Sequence, residues 1–273
     1  MAGFLTDPEF DLFSRLIYEG SGIHFSASNR PILESRLRER LKSSKLATVQ
    51  EYHALILREQ EEMKILLDSV TTNLTWFFRY TAHFLTLENL VLPDLVAFKK
   101  RKGQNRIRIW SAGCSTGEEP YSLAMLLKDK LPPEIGVEII ASDLSLKSLL
   151  TAKAGFYPEG RVNGIPEKYL HRFLESKNDG WQVKDEIKKL IRFDYHNLRH
   201  ESGFRDVDVV FCRNVLIYFD AQAQAEVINR FWDILTPHSF LFIGHSESLF
   251  GMETQFEFLK TDWACIYRKM REP

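Results

Sequence analysis

Residues 106–127 constrain the fold of this chain more than any other segment. They read as a strand rich in β-branched residues, a turn of small residues, and a helix with an apolar period. Gly113 and Gly117 of the turn can adopt positive φ and let a ligand approach bare backbone, while Ser115 and Thr116 suit the start of a helix. The segment predicts an α/β fold with a turn that admits a cofactor. Since any α/β protein can contain such a turn, a purely structural role stays open here.

The residues around this turn favour a nucleoside without phosphates. The spacing is Gly-x-x-x-Gly rather than the Gly-x-Gly-x-x-Gly of dinucleotide folds, and Glu118 and Glu119 occupy the helix N-terminus where a pyrophosphate would bind. A second predicted strand ends at Asp143, where nucleotide folds place the acid that binds ribose hydroxyls. An adenosine with positive charge would suit these carboxylates, and S-adenosylmethionine carries both an ammonium and a sulfonium group.

Composition excludes several classes of protein. The 273 residues are 44% hydrophobic, which is enough for one large domain or two modest ones. No run approaches the ~18 apolar residues of a membrane span, and no signal peptide begins the chain, so we expect a cytoplasmic protein. The three cysteines lie far apart and the histidines lack metal-ligand spacing, which argues against disulfides and a metal site. With a net charge of −1, no overall field attracts nucleic acid.

Hydrophobic periodicity divides the chain into three parts. Residues 1–72 predict an all-helical domain of four helices, of which the second is locally basic. Residues 73–105 predict a linker and connecting helix. Residues 106–273 alternate strand and helix, which predicts a parallel sheet covered on both faces and finished by an antiparallel pair near the end of the chain. Residues 181–183 and 190–193 interrupt the alternation and predict a hairpin, in a small inserted antiparallel β subdomain of about 176–195.

Three further segments carry polar groups beside aromatic or apolar ones. Residues 71–79 join polar residues to three consecutive aromatics and an arginine, which either plug one domain onto the other or line a pocket. Residues 208–219 form an apolar strand that ends in Arg213-Asn214, followed by a loop with Tyr218. That Tyr218 is merely a half-buried aromatic is the commoner alternative. In residues 193–198, the amide of Asn197 suits an adenine edge and Leu198 suits the face of the ring.

Five ordered blocks of this chain resemble the chemotaxis receptor glutamate methyltransferases, the CheR family. The blocks are residues 72–79, 115–122, 141–143, 197–198 and 212–220, and the resemblance extends from about Phe10 to Tyr267. It implies an α/β, class I S-adenosylmethionine-dependent methyltransferase sheet with an N-terminal all-helical domain and a small inserted antiparallel β subdomain. It also implies a protein-glutamate O-methyltransferase that converts specific glutamates of chemoreceptors to methyl esters, with S-adenosylhomocysteine as the second product.

The resemblance also implies the site residues. Those expected to bind the cofactor are Asn73, Thr75, Arg79, Gly113, Glu119, Asp143, Asn197, Leu198, Arg213 and Asn214. Arg79 and Tyr218 are expected at the transferring methyl group as the catalytic pair. The sequence leaves open whether Glu118 and Glu119 exchange roles.

The implied partner is the cytoplasmic helical region of membrane chemoreceptors. Arg36, Arg40 and Lys42 of the basic helix match the face that family members use for docking, although Glu39 interrupts that face and a merely solvated helix is the alternative. We expect a monomer that neither inserts into the membrane nor binds nucleic acid. Members that tether to a receptor's C-terminal pentapeptide carry a longer, Gly-rich loop than residues 175–180, so independence of this tether is predicted.

Two alternatives remain from the sequence. One is another class I methyltransferase that acts on a small molecule or a nucleic acid, for which a basic crevice rim would be expected. The other is a catalytically silent adaptor that keeps the fold. The presence of Arg79, Asp143 and Tyr218 weighs against silence.

Overall fold

The computed structural model describes residues 4–270, and these divide into two compact units. The first unit comprises the chain up to Thr72 together with Tyr218–Ala223, and the second comprises Asn73–Ile217 and the chain from Gln224 onward.

Four helices form the first unit: α1 (Asp7–Ser21), α2 (Arg30–Ser44), α3 (Val49–Arg58) and α4 (Gln60–Val70). A capping box begins α1: Thr6 is the N-cap residue, and its N–H donates to Glu9 Oε2 at 2.7 Å. In α2, Leu33, Leu37 and Leu41 recur at helical spacing and are buried, so their removal from water holds the helix in the bundle.

Residues 218–223, which belong to the first unit, pair with the segment that follows α1. Ile23 forms an antiparallel bridge with Phe219, and the His24 N–H donates to the Tyr218 carbonyl at 2.8 Å. Tyr218 is therefore fixed by its backbone within the helical unit.

The second unit alternates helices and strands. Its helices are α5 (Thr81–Thr86), α6 (Leu92–Arg101), α7 (Glu118–Lys130), α8 (Leu146–Ala154), α9 (Glu167–Phe173), α10 (Asp185–Lys188) and α11 (Ala221–Ile234), the first residues of which lie in the other unit. Its strands are β1 (Arg106–Ala112), β2 (Gly136–Asp143), β3 (Phe156–Pro158), β4 (Leu174–Lys177), β5 (Gly180–Val183), β6 (Ile191–Tyr195), β7 (Val207–Cys212), β8 (Leu235–Ile243), β9 (Glu257–Lys260) and β10 (Cys265–Met270).

Seven strands form the main sheet, in the order β6-β2-β1-β7-β8-β10-β9. The first five strands in this order, β6, β2, β1, β7 and β8, pair in parallel, and β10 is antiparallel to both of its neighbours. The predicted α/β fold with a final antiparallel pair is confirmed. From β1 the sheet is extended on one side by β2 and β6 and on the other by β7 and β8, so the strand order changes direction at β1. Ligands of such sheets bind at the carboxyl ends of the strands beside this switch point.

The predicted hairpin of residues 181–183 and 190–193 is wrong. β5 pairs antiparallel with β3 and β4 in a separate three-stranded sheet, whereas β6 pairs in parallel with β2 at the edge of the main sheet. The small sheet thus spans residues 156–183 rather than 176–195. Phe193 packs on Tyr121 of α7, with ring centroids 5.8 Å apart. An apolar alternation fits either partner, and this tertiary contact, invisible in the local pattern, favours the main sheet.

Candidate functional site

The turn after β1 is fixed by hydrogen bonds to the end of β2. The N–H groups of Gly113 and Cys114 donate to the Ser142 carbonyl at 2.8 and 2.9 Å. The Ser115 N–H donates to Asp143 Oδ2 at 2.8 Å, and this carboxylate is largely buried. Gly113 and Asp143 follow different strands, and these contacts bring them together at the carboxyl end of the sheet, as predicted.

Both glycines of the turn are required by protein packing. A Cβ on Gly113, at φ +80°, would lie 2.4 Å from Val215 Cγ2, and one on Gly117, at φ +95°, would lie 2.8 Å from Ala152 Cβ and 2.9 Å from the Tyr157 hydroxyl. Such separations are far below van der Waals contact. The positive φ values expected from the sequence are present, and the space freed by each missing side chain is filled by the protein itself.

A buried ion pair joins α7 to the end of β7. Arg213 Nε donates to Glu119 Oε2 at 2.7 Å, and the Ser111 hydroxyl donates to Glu119 Oε1 at 2.7 Å. The side chains of Arg213 and Glu119 are 2% and 10% exposed. Hydrogen bonds to charged groups are strong, so the Glu119 carboxylate links α7 to Ser111 of β1 and to Arg213 after β7. The Glu119 carboxylate beside the Ser111 hydroxyl could not be inferred from the sequence. Because it is bound by Arg213, it is not free to act as a base for Ser111.

Arg213 also connects to the segment that carries Arg79. Its Nη1 donates to the Arg79 carbonyl at 2.6 Å and lies 3.2 Å from His83 Nδ1. Burial and the adjacent Arg213 charge lower the pKa of His83 to about 3. His83 is thus neutral near pH 7, and its Nδ1 accepts a hydrogen bond from Arg213 Nη1.

Glu118 and Glu119 occupy different surroundings. Glu118 is fully buried and accepts from the Thr116 hydroxyl at 2.7 Å and from Arg161 Nη2. Each of the two carboxylates therefore has an arginine partner, Arg161 for Glu118 and Arg213 for Glu119. From the sequence, these carboxylates were expected to attract a cationic ligand. In the structure their negative charges are balanced by the two arginines.

Residues 77–80 form a strained loop anchored by buried aromatics. Phe77 is 1% exposed, and Phe78 is buried with its N–H donating to the Ser122 hydroxyl at 2.9 Å. Phe78 and Tyr80 have φ of 53° and 59°, a region that costs a non-glycine residue free energy and persists only where surrounding contacts enforce it. The strained pair flanks Arg79 on both sides.

Arg79 packs beside two aromatic rings. The guanidinium carbon is 4.4 Å from the Trp76 ring centroid and 5.2 Å from that of Tyr80. Arg79 Nη1 donates to the Leu74 carbonyl at 2.7 Å, while Nε is buried and has no hydrogen-bond acceptor. A buried donor without a partner is costly, so Nε has an unused capacity to donate a hydrogen bond.

Two asparagines of the predicted set contribute to the same edge of the second unit. The Ser115 hydroxyl lies 3.4 Å from both the carbonyl and Oδ1 of Asn73. Asn214 has a φ of 61°, and its N–H donates to Glu247 Oε2 at 2.9 Å. Asn214 Oδ1 is buried without a donor.

The loop after β6 joins this edge through its backbone. The His196 N–H donates to the Asp143 carbonyl at 3.1 Å, which places Asn197 and Leu198 next to the end of β2. Asn197 Oδ1 accepts from the Arg199 N–H at 3.0 Å. Leu198 is 8% exposed. It lines a cavity of about 180 Å³ beside Trp110 and Arg230, and neither the glycine turn nor Asp143 lines that cavity.

Some predicted residues are not brought into these contacts. Thr75 is half-buried between Asn73 and Arg79, and Tyr218 belongs to the helical unit. Of the predicted docking residues on α2, Lys42 is exposed and Arg36 is half-buried beside Glu39.

Arg40 does not face solvent as the docking prediction requires. Its Nη2 lies 2.7 Å from Glu62 Oε1, and the Tyr52 hydroxyl donates to the same oxygen at 2.7 Å. The Arg40 and Glu62 side chains are 17% and 10% exposed. We therefore correct its assignment: Arg40 is a packing residue of the helical unit, drawn inward by the carboxylate of α4.

The structure adds residues that the sequence analysis missed. Arg161 binds Glu118, His83 accepts from Arg213, and Glu247 binds the backbone of Asn214. Glu247 follows β8, which neighbours β7, so its place after a strand end was a usable signal. Arg161 ends a short 3-10 helix, Glu159–Arg161, after β3 and gave no such signal.

Residues 4–270 lack both a membrane-spanning helix and a metal cluster. Among these residues no helix combines the length and apolar character needed to cross a membrane. The same part of the chain holds no group of three or more His, Cys, Asp or Glu suited to a metal ion.

Comparisons with known proteins agree with this arrangement. Residues 8–71 match the family model described as CheR methyltransferase, all-alpha domain, and residues 73–265 match that described as CheR methyltransferase, SAM binding domain. The chain is 36% identical to the chemotaxis protein methyltransferase of Borreliella burgdorferi over 255 residues, which cover 90% of each protein. It is 35% identical to that of Escherichia coli over 92% of this chain and 88% of the relative.

S-adenosylmethionine is the cofactor that these matches assign to the second unit. Two atoms of the site fit its amino-acid end. The buried Arg79 Nε is a donor without an acceptor, which suits a carboxylate, and the buried Asn214 Oδ1 is an acceptor without a donor, which suits an ammonium group.

Proposed function

This chain belongs to the CheR methyltransferase family, and we propose that it transfers the methyl group of S-adenosylmethionine to glutamate side chains in the cytoplasmic helical region of chemoreceptors. A glutamate carboxylate oxygen attacks the methyl carbon, the carbon–sulfur bond breaks, and its electron pair returns to sulfur. The anionic carboxylate and the cationic sulfonium give a neutral ester and the neutral thioether of S-adenosylhomocysteine. No proton moves.

The main support for this proposal is the position of the Arg79 guanidinium and its unpaired Nε. A carboxylate nucleophile is ionised near pH 7 and needs no general base, so catalysis depends on its alignment with the sulfonium and on exclusion of water. Arg79 is held by two rings and a strained loop, with Nε buried and lacking an acceptor. With Nε bound to the cofactor's carboxylate, the same guanidinium has other N–H groups left to orient the glutamate carboxylate, because arginine presents five donors in a planar fork.

The remaining site residues would hold the cofactor. Asp143, fixed by backbone N–H groups of Ser115 and Ser145, would bind the ribose hydroxyls. Asn214 would receive the ammonium group, and Asn197 with Leu198 would contact the adenine. Arg213 and Glu119 bind each other, so their part in cofactor binding would be to set the position of Arg79 and of the turn.

Tyr218 is proposed as the second catalytic residue. An oriented hydroxyl near the sulfonium would restrict the donor's geometry, and the backbone of Tyr218 is anchored by the His24 N–H. We expect Arg79→Ala and Tyr218→Phe to lower turnover by about a hundredfold or more. Unchanged turnover in both variants would contradict the assignment.

Incubation with radiolabelled S-adenosylmethionine and receptor-enriched membranes tests the reaction itself. Base-labile, volatile label on the receptor is expected, because a carboxyl methyl ester hydrolyses to methanol. Base-stable label would favour another class of acceptor, and no label would favour a silent adaptor.

Docking is proposed for the exposed cations of α2. With Arg40 turned inward, the row that remains consists of Arg38 and Lys42, the half-buried Arg36, and Lys45 directly after the helix. Acidic receptor helices are the partner that such a row would attract.

Independence of the receptor's C-terminal pentapeptide is also proposed. β4 and β5 are joined directly through Asn178 and Asp179, with Lys177 opposite Gly180. Residues 175–180 are thus strand and tight turn, with no extended loop. Calorimetric titration with the pentapeptide should give no heat of binding, and micromolar affinity would overturn the proposal. We further propose that the enzyme acts in the cytoplasm as a monomer.

A further inference from the structure

The segment that follows β8 contacts the loop that follows β7. Cys212 and Ile243 are opposite each other at the ends of these parallel strands, so the two segments leave the sheet side by side. The first carries Arg213 and Asn214, and the second reads Gly244-His245-Ser246-Glu247.

One carboxylate gathers three backbone donors of this region. Glu247 Oε2 accepts from the N–H of Asn214 at 2.9 Å and from that of Gly244, and Oε1 accepts from the Ile217 N–H at 3.2 Å. Hydrogen bonds to an ionised acceptor are about twice as strong as neutral ones. They offset the cost of holding Asn214, a non-glycine residue, at a φ of 61°.

Gly244 makes the approach of this carboxylate possible. A Cβ at this position would lie 2.5 Å from Glu247 Oε2 and 2.8 Å from the Asn214 nitrogen. No side chain fits there while the three hydrogen bonds exist, so the carboxylate of Glu247 depends on the glycine at 244.

We propose that Glu247 is a positioning residue that fixes the backbone of residues 214–217 and thereby aims Asn214 at the cofactor. This inference rests on the proposed function. Asn214 Oδ1, buried without a donor, is held by the backbone that Glu247 binds, and Ile217 immediately precedes Tyr218. Displacement of such groups by about 1 Å is enough to reduce a rate a hundredfold.

Glu247→Gln tests the proposal at constant size. The amide loses the negative charge and turns an NH₂ group toward a backbone N–H, so the loop relaxes. We expect S-adenosylhomocysteine affinity, measured by calorimetry without receptor, to fall about tenfold, and kcat to fall further while KM for receptor is unchanged. Glu253→Gln, in the same segment and exposed, is the matched control and should behave as wild type.

A double-mutant cycle separates positioning from general destabilisation. If Glu247 acts through Asn214, Glu247→Gln should have little further effect on S-adenosylhomocysteine affinity in the Asn214→Ala background. Additive effects would overturn the proposal, as would wild-type affinity and kcat in Glu247→Gln. Should that variant unfold, Glu247→Asp, which keeps the charge but shortens the reach, is expected to give an intermediate loss of affinity; an unchanged affinity would contradict the inference.

Failure of the proposed function has a different signature. In that case the wild-type enzyme places no base-labile label on receptors, while the calorimetric cycle still reports on Glu247 and Asn214.

Discussion

At the scale of single residues, the glycine at position 113 is required for a different reason from the one that the sequence suggested. The sequence predicted bare backbone open to a ligand, whereas the missing Cβ of Gly113 makes room for Val215. Positive φ at Gly113 and Gly117 was predictable from residue type alone. The identity of the neighbour was not, because Val215 comes from the loop after β7, far away along the chain.

Gly113→Ala should therefore cost more stability than strain alone. Its Cβ would lie 2.4 Å from Val215 Cγ2, whereas a Cβ on Gly103, which has a similar positive φ of 65°, would have nothing within 4 Å. Urea unfolding should show a loss of about 1 kcal/mol for the control Gly103→Ala and about 3 kcal/mol for Gly113→Ala. Equal losses would mean that Val215 yields without cost.

The buried His83 predicts a pH dependence of stability. Its pKa is about 3 in the folded protein, because of burial and the charge of Arg213, against 6.5 as its ordinary value. Between these values the unfolded chain binds a proton that the folded chain does not, so this residue's contribution to stability falls as pH falls below about 6.5.

The slope from one such group is at most about 1.4 kcal/mol per pH unit. His83→Gln, which keeps a neutral acceptor for Arg213, should remove it, and the difference in unfolding free energy between variant and wild type should change between pH 7 and pH 5. A constant difference across this range would show that His83 does not titrate as the structure implies.

At the scale of elements, the sequence was most reliable where the pattern itself decides the structure. The four N-terminal helices and strands β1, β2 and β7 occur where caps, apolar periods and β-branched runs predicted them. The error concerned β6, since the local alternation of Ile191 and Phe193 is the same in a hairpin and at a sheet edge. Only the pairing with β2 and the packing on α7 distinguish these two outcomes.

The segment after β3 gives a testable link between the small sheet and the cofactor turn. Arg161 binds the fully buried Glu118, while Arg172, similarly exposed, binds the less buried Asp129. Removing the partner of a buried charge costs more than breaking a surface pair, whose loss costs up to about 1 kcal/mol.

Arg161→Ala should thus lower the unfolding free energy by about 2 kcal/mol and weaken S-adenosylhomocysteine binding about fivefold, because Thr116 and Glu118 share its guanidinium. Chemical denaturation and calorimetry provide the two measurements. Arg172→Ala is the control, and similar behaviour of both variants would show that the cofactor turn does not depend on Arg161.

At the scale of the whole molecule, charge is local rather than global. The net charge of −1 gives no general attraction to an acidic partner, but α2 presents exposed Arg38 and Lys42, and the exposed Lys45 follows it directly. The sequence could identify this helix as basic. It could not show that Arg40 is turned inward, because that depends on Glu62 of another helix.

Charge reversal on α2 should consequently separate docking from catalysis. The double variant Arg38→Glu with Lys42→Glu should lower receptor methylation about tenfold or more at low salt, with the difference shrinking as ionic strength rises, because the interaction is between exposed charges. Its S-adenosylhomocysteine affinity should equal that of wild type, since α2 lies in the first unit and every residue proposed to bind the cofactor, from Asn73 to Asn214, lies in the second. Arg15→Glu, an exposed reversal on α1, is the control. Undiminished methylation by the double variant, or an equal loss in the control, would show that the basic row is a solvated helix face and that the receptor docks elsewhere.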